Sequence, residues 1–253
     1  MDRGTYVAAS AGYLNLYKLD VVANNLANVD TPGYKRQVVY GDEQTFDETL
    51  AAAIAKDDPF ARGDHERSPG VTNVKTATDF TIGSIKQTGN PLDVALRNPK
   101  DFFTIQTPDG IQYTRAGNFT LNAEGEIVTH DGMTLIGDGG AVNANGPNVQ
   151  ISPGGGVMVN GELISNIQVV RFQDTTQLER TGSGRFKLAA GAITPETVEA
   201  QLEPKSLEMS NVSTVSSMVD LISANRAFEM YTKTARSIDE MNQTTINQVG
   251  KSR

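Results

Sequence analysis

Hydrophobic patterning changes character three times along the chain. From about Thr5 to Asn28, apolar or small side chains recur at Ala9, Gly12, Leu16, Leu19, Ala23 and Leu26, with Val22 alongside. That alternation of three and four is the heptad seam of a helix that packs lengthwise on another. Pro32 and Gly33 stop it, because proline disfavours the helical region for the residue before it and glycine opens left-handed conformations. The helix is therefore predicted to end near Val29.

Residues from Tyr40 to Gly70 are polar, with "KDDPF" and "RGDHERSPG" and a helical pattern only at Phe46–Ala55, so they read as a long connection. From about Val71 to Pro204 the period becomes two. "FFTIQTPDGIQYTR" predicts a hairpin turning at Pro108-Asp109-Gly110, "NFTLNAEGEIVT" one turning at Asn122–Gly125, and "VMVNGELI" one turning at Asn160-Gly161. "NIQVVRF" and "GRFKLAA" add strands. Short strands punctuated by glycine turns predict an antiparallel β-domain, a sandwich or an irregular barrel.

Helix returns from about Ser210 to Val249, with Ser210 or Asn211 as the candidate N-cap and no Pro or Gly before Gly250. Roughly 40 residues make a rod of about 60 Å, several times an ordinary globular helix. Its apolar positions form two seams. Val212, Val215, Val219 and Ile222 follow one, and Leu221, Ala224, Phe228, Tyr231, Ala235 and Ile238 follow another displaced by two residues, roughly 200° around the helix. A helix that is apolar on two sides requires neighbours on two sides. The N-terminal helix supplies one; other subunits are expected to supply the second. An ordinary terminal helix hairpin accounts for one seam and leaves the other without a neighbour.

The expected fold class is thus α+β, with N- and C-terminal long helices pairing as a coiled coil and a central antiparallel β-rich domain. The segments are 1–36, an assembly helix and turn; 37–70, a polar connection; 71–205, the β-rich domain; and 206–253, a second assembly helix.

Composition narrows the function. The formal charge is −8, from 22 Lys and Arg against 30 Asp and Glu, which gives no general attraction to nucleic acid or an anionic membrane. Cysteine is absent, which removes disulfides and thiolate metal sites. The N-terminal residues lack the apolar stretch of a cleaved signal, and no apolar run is long enough to span a bilayer. His65 lies in the polar loop and His130 in "THDG", neither with a second ligand at metal-binding spacing. "GDGG" at 137–140 and "SPGGG" at 152–156 lack the Gly-Lys-Ser/Thr ending of a phosphate loop, and no G-x-S-x-G elbow occurs. The Asp57-Asp58 pair sits in the polar loop, a poor place for raising a carboxyl pKa. No catalytic, cofactor or metal site is expected.

Three ordered motifs carry a resemblance. "ANNLANVDTPGYKR" at 23–36 is similar to the N-terminal signature of the flagellar rod and hook proteins, the axial family of the bacterial flagellum. "DFFTIQTPDGIQYTRAGNFTLNAEGEIVTHDGMTLIG" resembles that family's middle-domain pattern, and "LEMSNVSTVSSMVDLISANRAFEMYTKTARSIDEMNQ" its C-terminal signature. Where the family commonly has glycines before the paired phenylalanines, this chain has Asn98-Pro99-Lys100-Asp101, which still makes a turn. Length and the opening "MDRGTY" look most like the FlgF-type proximal rod proteins, with the FlgG-type distal rod or hook subunits as the alternative.

The resemblance implies a structural subunit of the basal-body rod, polymerising through its terminal helices into a hollow shaft that transmits torque from motor to hook. It implies no catalysis and no cofactor. It also implies export through the flagellar type III apparatus without a cleaved signal, and a location in the rod, crossing the periplasm of a Gram-negative cell. The implied partners are copies of itself, proximal and distal rod subunits and that apparatus, with no nucleic acid and no direct membrane insertion. A rival of another class is a secreted β-domain binding module or adhesin using the β-domain surface or Arg62–Asp64.

The expected assembly positions are Leu16, Leu19, Asn24, Asn25, Leu26, Asn28, Thr31, Pro32 and Gly33 in the first segment, and Val215, Val219, Leu221, Ile222, Arg226, Phe228, Tyr231 and Ile238 in the last. Asn24 and Asn28 are four apart and share a face, and Asn24 and Asn25 are expected to set register between subunits. Asn28 and Asp30 help end the helix, and Thr31-Pro32-Gly33 is the bend that turns the chain outward.

Overall fold

A computed structural model describes residues 3–45 and 69–250, with side chains from 9 to 40 and from 74 to 247. The helical pattern at Phe46–Ala55 and the Arg62–Asp64 triplet lie outside the described residues. The fold is α+β, two long helices and a large antiparallel β-region, arranged in two units. Unit 1 takes Met1–Leu26, Gln37–Ala77 and Ser213–Arg253, and unit 2 takes Ala27–Arg36 and Thr78–Val212.

Unit 1 contains both helices, α1 (Arg3–Ala27) and α2 (Thr214–Gly250). The two meet where α1 has no side chain: a Cβ placed on Gly12 would lie 3.8 Å from the Cβ of Tyr231. The helix α2 starts a few residues later than Ser210 or Asn211. Ser213 caps it, its Oγ accepting from the Ser216 N–H at 3.4 Å, while Ser210 and Asn211 spend their side chains elsewhere. Threonines 232, 234, 244 and 245 donate their hydroxyls back to the carbonyl four residues earlier, which satisfies these polar groups within the helix. Strand Gln37–Thr45 pairs with strand Pro69–Thr78. It opens the segment that composition marked as a connection; Val38, Val39 and Tyr40 have the β-branched and aromatic side chains that favour strand.

Unit 2 is built around strand Asp101–Thr107, which pairs antiparallel with three others: Gly110–Thr114, Thr134–Gly137 and Val169–Arg171. The Phe102-Phe103 pair explains why. Successive side chains of a strand point to opposite faces, and here both are fully buried, one in each of two cores. Phe103 packs with Phe119, ring centroids 5.2 Å apart, in the larger cluster of Val94, Leu96, Ile105, Leu135 and Leu202. Phe102 sits among Phe80, Phe172 and Phe186 on the other face, with centroids 5.3 to 5.9 Å away. The paired strand keeps the alternation: Val169 opposes Phe103 and joins the first core, and Val170 opposes Phe102 and joins the second.

The expected hairpins form. Gly110 carries φ +108° after the Pro108-Asp109 turn, and Gly125 donates to the Asn122 carbonyl across the second turn. Asn160 and Gly161 both have positive φ, 53° and 88°, which allows the tight two-residue connection between Gly156–Val159 and Glu162–Asn166. At the departure Asn98-Pro99-Lys100-Asp101 the Asn98 side chain accepts from the Lys100 N–H and its carbonyl from the Asp101 N–H, a turn that feeds the central strand.

Candidate assembly site

The segment after α1 and the segment before α2 are joined inside unit 2. Thr31 donates its N–H to the Asn28 carbonyl and its hydroxyl to the Asn28 side chain, closing the turn after α1. Pro32 and Gly33 follow, and Gly33 donates its N–H to the Glu208 carbonyl at 2.7 Å. Gly33 has φ +68°, and a Cβ there would lie 2.4 Å from the Ala116 nitrogen, so only glycine fits this left-handed turn against the neighbouring backbone. Tyr34 accepts from the Asn211 N–H, and the Arg36 N–H donates to the Asn211 side chain.

The Glu208 carboxylate lies at the middle of this junction and is fully buried. Its Oε1 accepts from Lys35 Nζ at 2.5 Å and from the Gly83 N–H at 3.1 Å. Its Oε2 accepts from Arg115 Nε and Nη2 at 2.9 and 2.7 Å. Further donors are also used: Arg115 Nη1 reaches the carbonyls of Asn98 and Asp101, and Lys35 Nζ reaches that of Thr81. Both cations are themselves fully buried. Burial pushes the Lys35 pKa down and Arg115 adds to the effect; Glu208 opposes it, and the net direction is below 10.5. At the edge of the junction Arg36 pairs with Asp79 at 2.8 Å. Burial pushes the Asp79 carboxyl up, but hydrogen bonds from Thr81 and the Arg36 pair outweigh it and hold it below the ordinary value.

Asn25 has a different partner from the one its position in the helix suggested. It is buried, at 6% exposure, and its amide clasps the backbone of Gln37 from both sides: Nδ2 donates to the Gln37 carbonyl at 2.8 Å and Oδ1 accepts from the Gln37 N–H at 2.9 Å. The clasp belongs to unit 1 and spans the segment Ala27–Arg36 that goes to unit 2. Asn25 thereby ties the end of α1 to Gln37. Asn24 is exposed and Asn28 half-buried.

The remaining expected positions divide by face. On α2, Leu221, Phe228, Tyr231 and Ile238 are half-buried on the same side as the buried Ala224. Val215, Val219 and Ile222 on the opposite side are 74%, 57% and 51% exposed, and Arg226 is exposed with them. On α1, Leu19 and Leu26 are half-buried, whereas Leu16 is 41% exposed and Ala9 and Ala23 are exposed. The heptad seam of α1 is thus only partly covered, and Val21 and Asn25, off that seam, are its buried residues along with Gly12. The pattern did not single out Lys35, Arg115 or Glu208. Each lies inside a recognisable motif, but periodicity carries no sign of a meeting between positions 173 apart.

Three family models match in chain order. One described as flagella basal body rod protein covers residues 6–35, one described as flagellar hook protein FlgE/F/G D1 domain covers 98–159, and one described as flagellar basal body rod FlgEFG protein C-terminal covers 203–249. The flagellar basal-body rod protein FlgF of Caulobacter vibrioides is 30% identical over 254 residues, 99% of each chain. FlgG of the same organism is 32% identical over 94% of this chain and 96% of its own. The chain belongs to the flagellar basal-body rod family. It is a structural subunit of FlgF/FlgG type, located in the basal body and assembling with other rod and hook components. Lys35, Arg115 and Glu208 come one from each of the three matched segments of this rod protein.

Replacing Glu208→Gln leaves two buried cations without a counter-charge and is expected to cost about 3–5 kcal/mol, read from urea unfolding of the full chain. Asn25→Ala is expected to cost about 1–3 kcal/mol and to speed amide exchange at Gln37, whose N–H then has no partner on α1. The pKa shift of Lys35 fixes a sign. Below its lowered folded-state pKa, the cost of holding the ammonium in the interior is present in full. As pH rises from there towards 10.5, the folded state has shed the proton while the unfolded chain still holds it, so stability rises with pH. Urea titrations in steps from neutral pH to 10.5 should show this rise, and Lys35→Met should remove it.

Proposed function

We propose that this rod subunit is FlgF-type and polymerises through its terminal helices, which pair as a coiled coil, into a hollow axial shaft that carries torque from motor to hook. The observation that carries the reading is the outward face of α2. Val215, Met218, Val219 and Ile222 recur at helical spacing and are all half or more exposed. They lie roughly 180° from the half-buried seam through Leu221, Ala224, Phe228 and Tyr231. Each such side chain gains about 1.5–3 kcal/mol on full burial, so several per subunit supply a substantial drive to add to a growing tip. A face that meets a different face of the next copy forms a heterologous contact, which builds an open helical polymer when the rotation does not close. Helices held on two sides resist twisting, as a torque-bearing shaft requires.

The FlgF-type position is supported by the opening Met1–Tyr6 and by the match to an FlgF protein over 99% of both chains. The same reading sends the chain out through the flagellar type III apparatus without a cleaved signal, to a rod that crosses the periplasm in a Gram-negative cell. Family membership supports this; among the described residues no helix is long and apolar enough to cross a membrane.

Val219→Asp tests the polymerising face. Since the side chain is exposed, the monomer should melt within about 0.5 kcal/mol of the parent. Electron microscopy of basal bodies from a strain carrying the labelled variant should show it missing from the rod, with motility lost. Normal incorporation and swimming would defeat the assignment of this face.

A further inference from the structure

We propose that the outward seams of α1 and α2 are the two halves of one contact between neighbouring copies, in which Asp20 of one copy pairs with Arg226 of the next. The proposal rests on the rod-subunit reading and adds the identity of the facing surface and its register.

The α1 half is a row of exposed residues, Tyr13, Leu16, Asp20 and Ala23, spaced by three and four. The α2 half is the row Val215, Val219, Ile222 and Arg226, exposed at the same spacing. Each row is apolar but for one charge, and the two charges are opposite. Neither Asp20 nor Arg226 has an ion pair or hydrogen bond from its side chain among the described residues. A carboxylate and a guanidinium set within apolar rows, both without partners among the described residues, are complementary to each other.

Charge also decides which rows meet. A contact of α1 with α1 would bring Asp20 near a second Asp20, and one of α2 with α2 would bring Arg226 near a second Arg226; like charges facing each other cost several kcal/mol. Among these eight residues, the heterologous pairing of α1 with α2 joins opposite signs. Each copy then offers one half and accepts the other, which is the requirement for a chain of contacts without end.

Gly12 and Tyr231 lie against each other in unit 1. Asp20 is eight residues and Arg226 five residues from that contact, about 12 and 7.5 Å along their helices at 1.5 Å per residue, so the pairing would fix the axial offset between the two copies.

Two measurements on the full chain test this in cells that assemble it. Because the chain has no cysteine, Asp20→Cys and Arg226→Cys can be co-expressed as separate single variants and the isolated basal bodies treated with a short bis-maleimide. A covalent dimer is expected. In parallel, Asp20→Arg and Arg226→Asp should each reduce rod assembly about tenfold or more, since a like charge then faces each site, and the double reversal should restore it. Cysteine variants that enter the rod but give no dimer, or single reversals that assemble normally, would overturn the pairing and leave the rod-subunit reading intact. Absence of the labelled parent chain from the rod would overturn both.

Discussion

Glu208 is the group on which unit 2 depends. Its carboxylate accepts four hydrogen bonds, from Lys35, Gly83 and twice from Arg115, and so fixes backbone segments otherwise remote in sequence. Removing three charges from water costs several kcal/mol per ion, and an interior Coulomb attraction offsets that only with near-complete hydrogen bonding. The geometry meets the condition. Carbonyls of Thr81, Asn98 and Asp101 take three further donors, and they also absorb part of the excess positive charge left by two cations on one carboxylate. What such a cluster contributes over an apolar plug is a fixed register. A guanidinium that must set both Nε and Nη2 on one carboxylate oxygen does not slide along a strand as a leucine can.

That register matters because of what the fixed segments lead to. Residues 28–36 continue α1 and residues 205–212 run into α2, and both are bonded to Glu208 or its neighbours within unit 2. Asn25 repeats the arrangement from unit 1, holding Gln37 by both backbone groups. In each unit, then, a polar side chain acting on backbone holds a segment that adjoins a helix in sequence.

Much of this was legible in the sequence, for identifiable reasons. Period two gave the hairpins because one face of each strand is buried, and the turn at Asn160-Gly161 was legible because few residues accept two successive positive φ values. The two seams of α2 were legible because 3.6-residue periodicity survives whether a face meets its own chain or another. Strand Gln37–Thr45 was hidden by the charges on either side of Val38-Val39. The cap at Ser213 was missed because several Ser and Asn residues compete in SNVS, and the choice among them is made by Asn211, whose side chain goes to Arg36, Asp79 and Thr81 instead. The Glu208 cluster was illegible since a lone charge in a strand has the same local pattern whether it is solvated or buried.

The amides of α1 show how far a local reading reaches. Asn24 and Asn25 are adjacent and Asn28 follows at the end of the helix, and the structure gives each different surroundings. Asn25 is turned into the chain and fixes Gln37; Asn28 accepts from Thr31 and shapes the turn; Asn24 is exposed on the side of α1 that carries Asp20 and Ala23. Helix geometry compels the separation of Asn24 from Asn25, since neighbours differ by about 100° in direction. Apolar rows specify where two helices touch but only weakly how far one has slid along the other. Polar groups at intervals correct that. In this chain the inward one, Asn25, acts on the backbone of Gln37, and Asn24 and Asp20 on α1 with Arg226 on α2 are exposed, the groups that the proposed contact between copies would use.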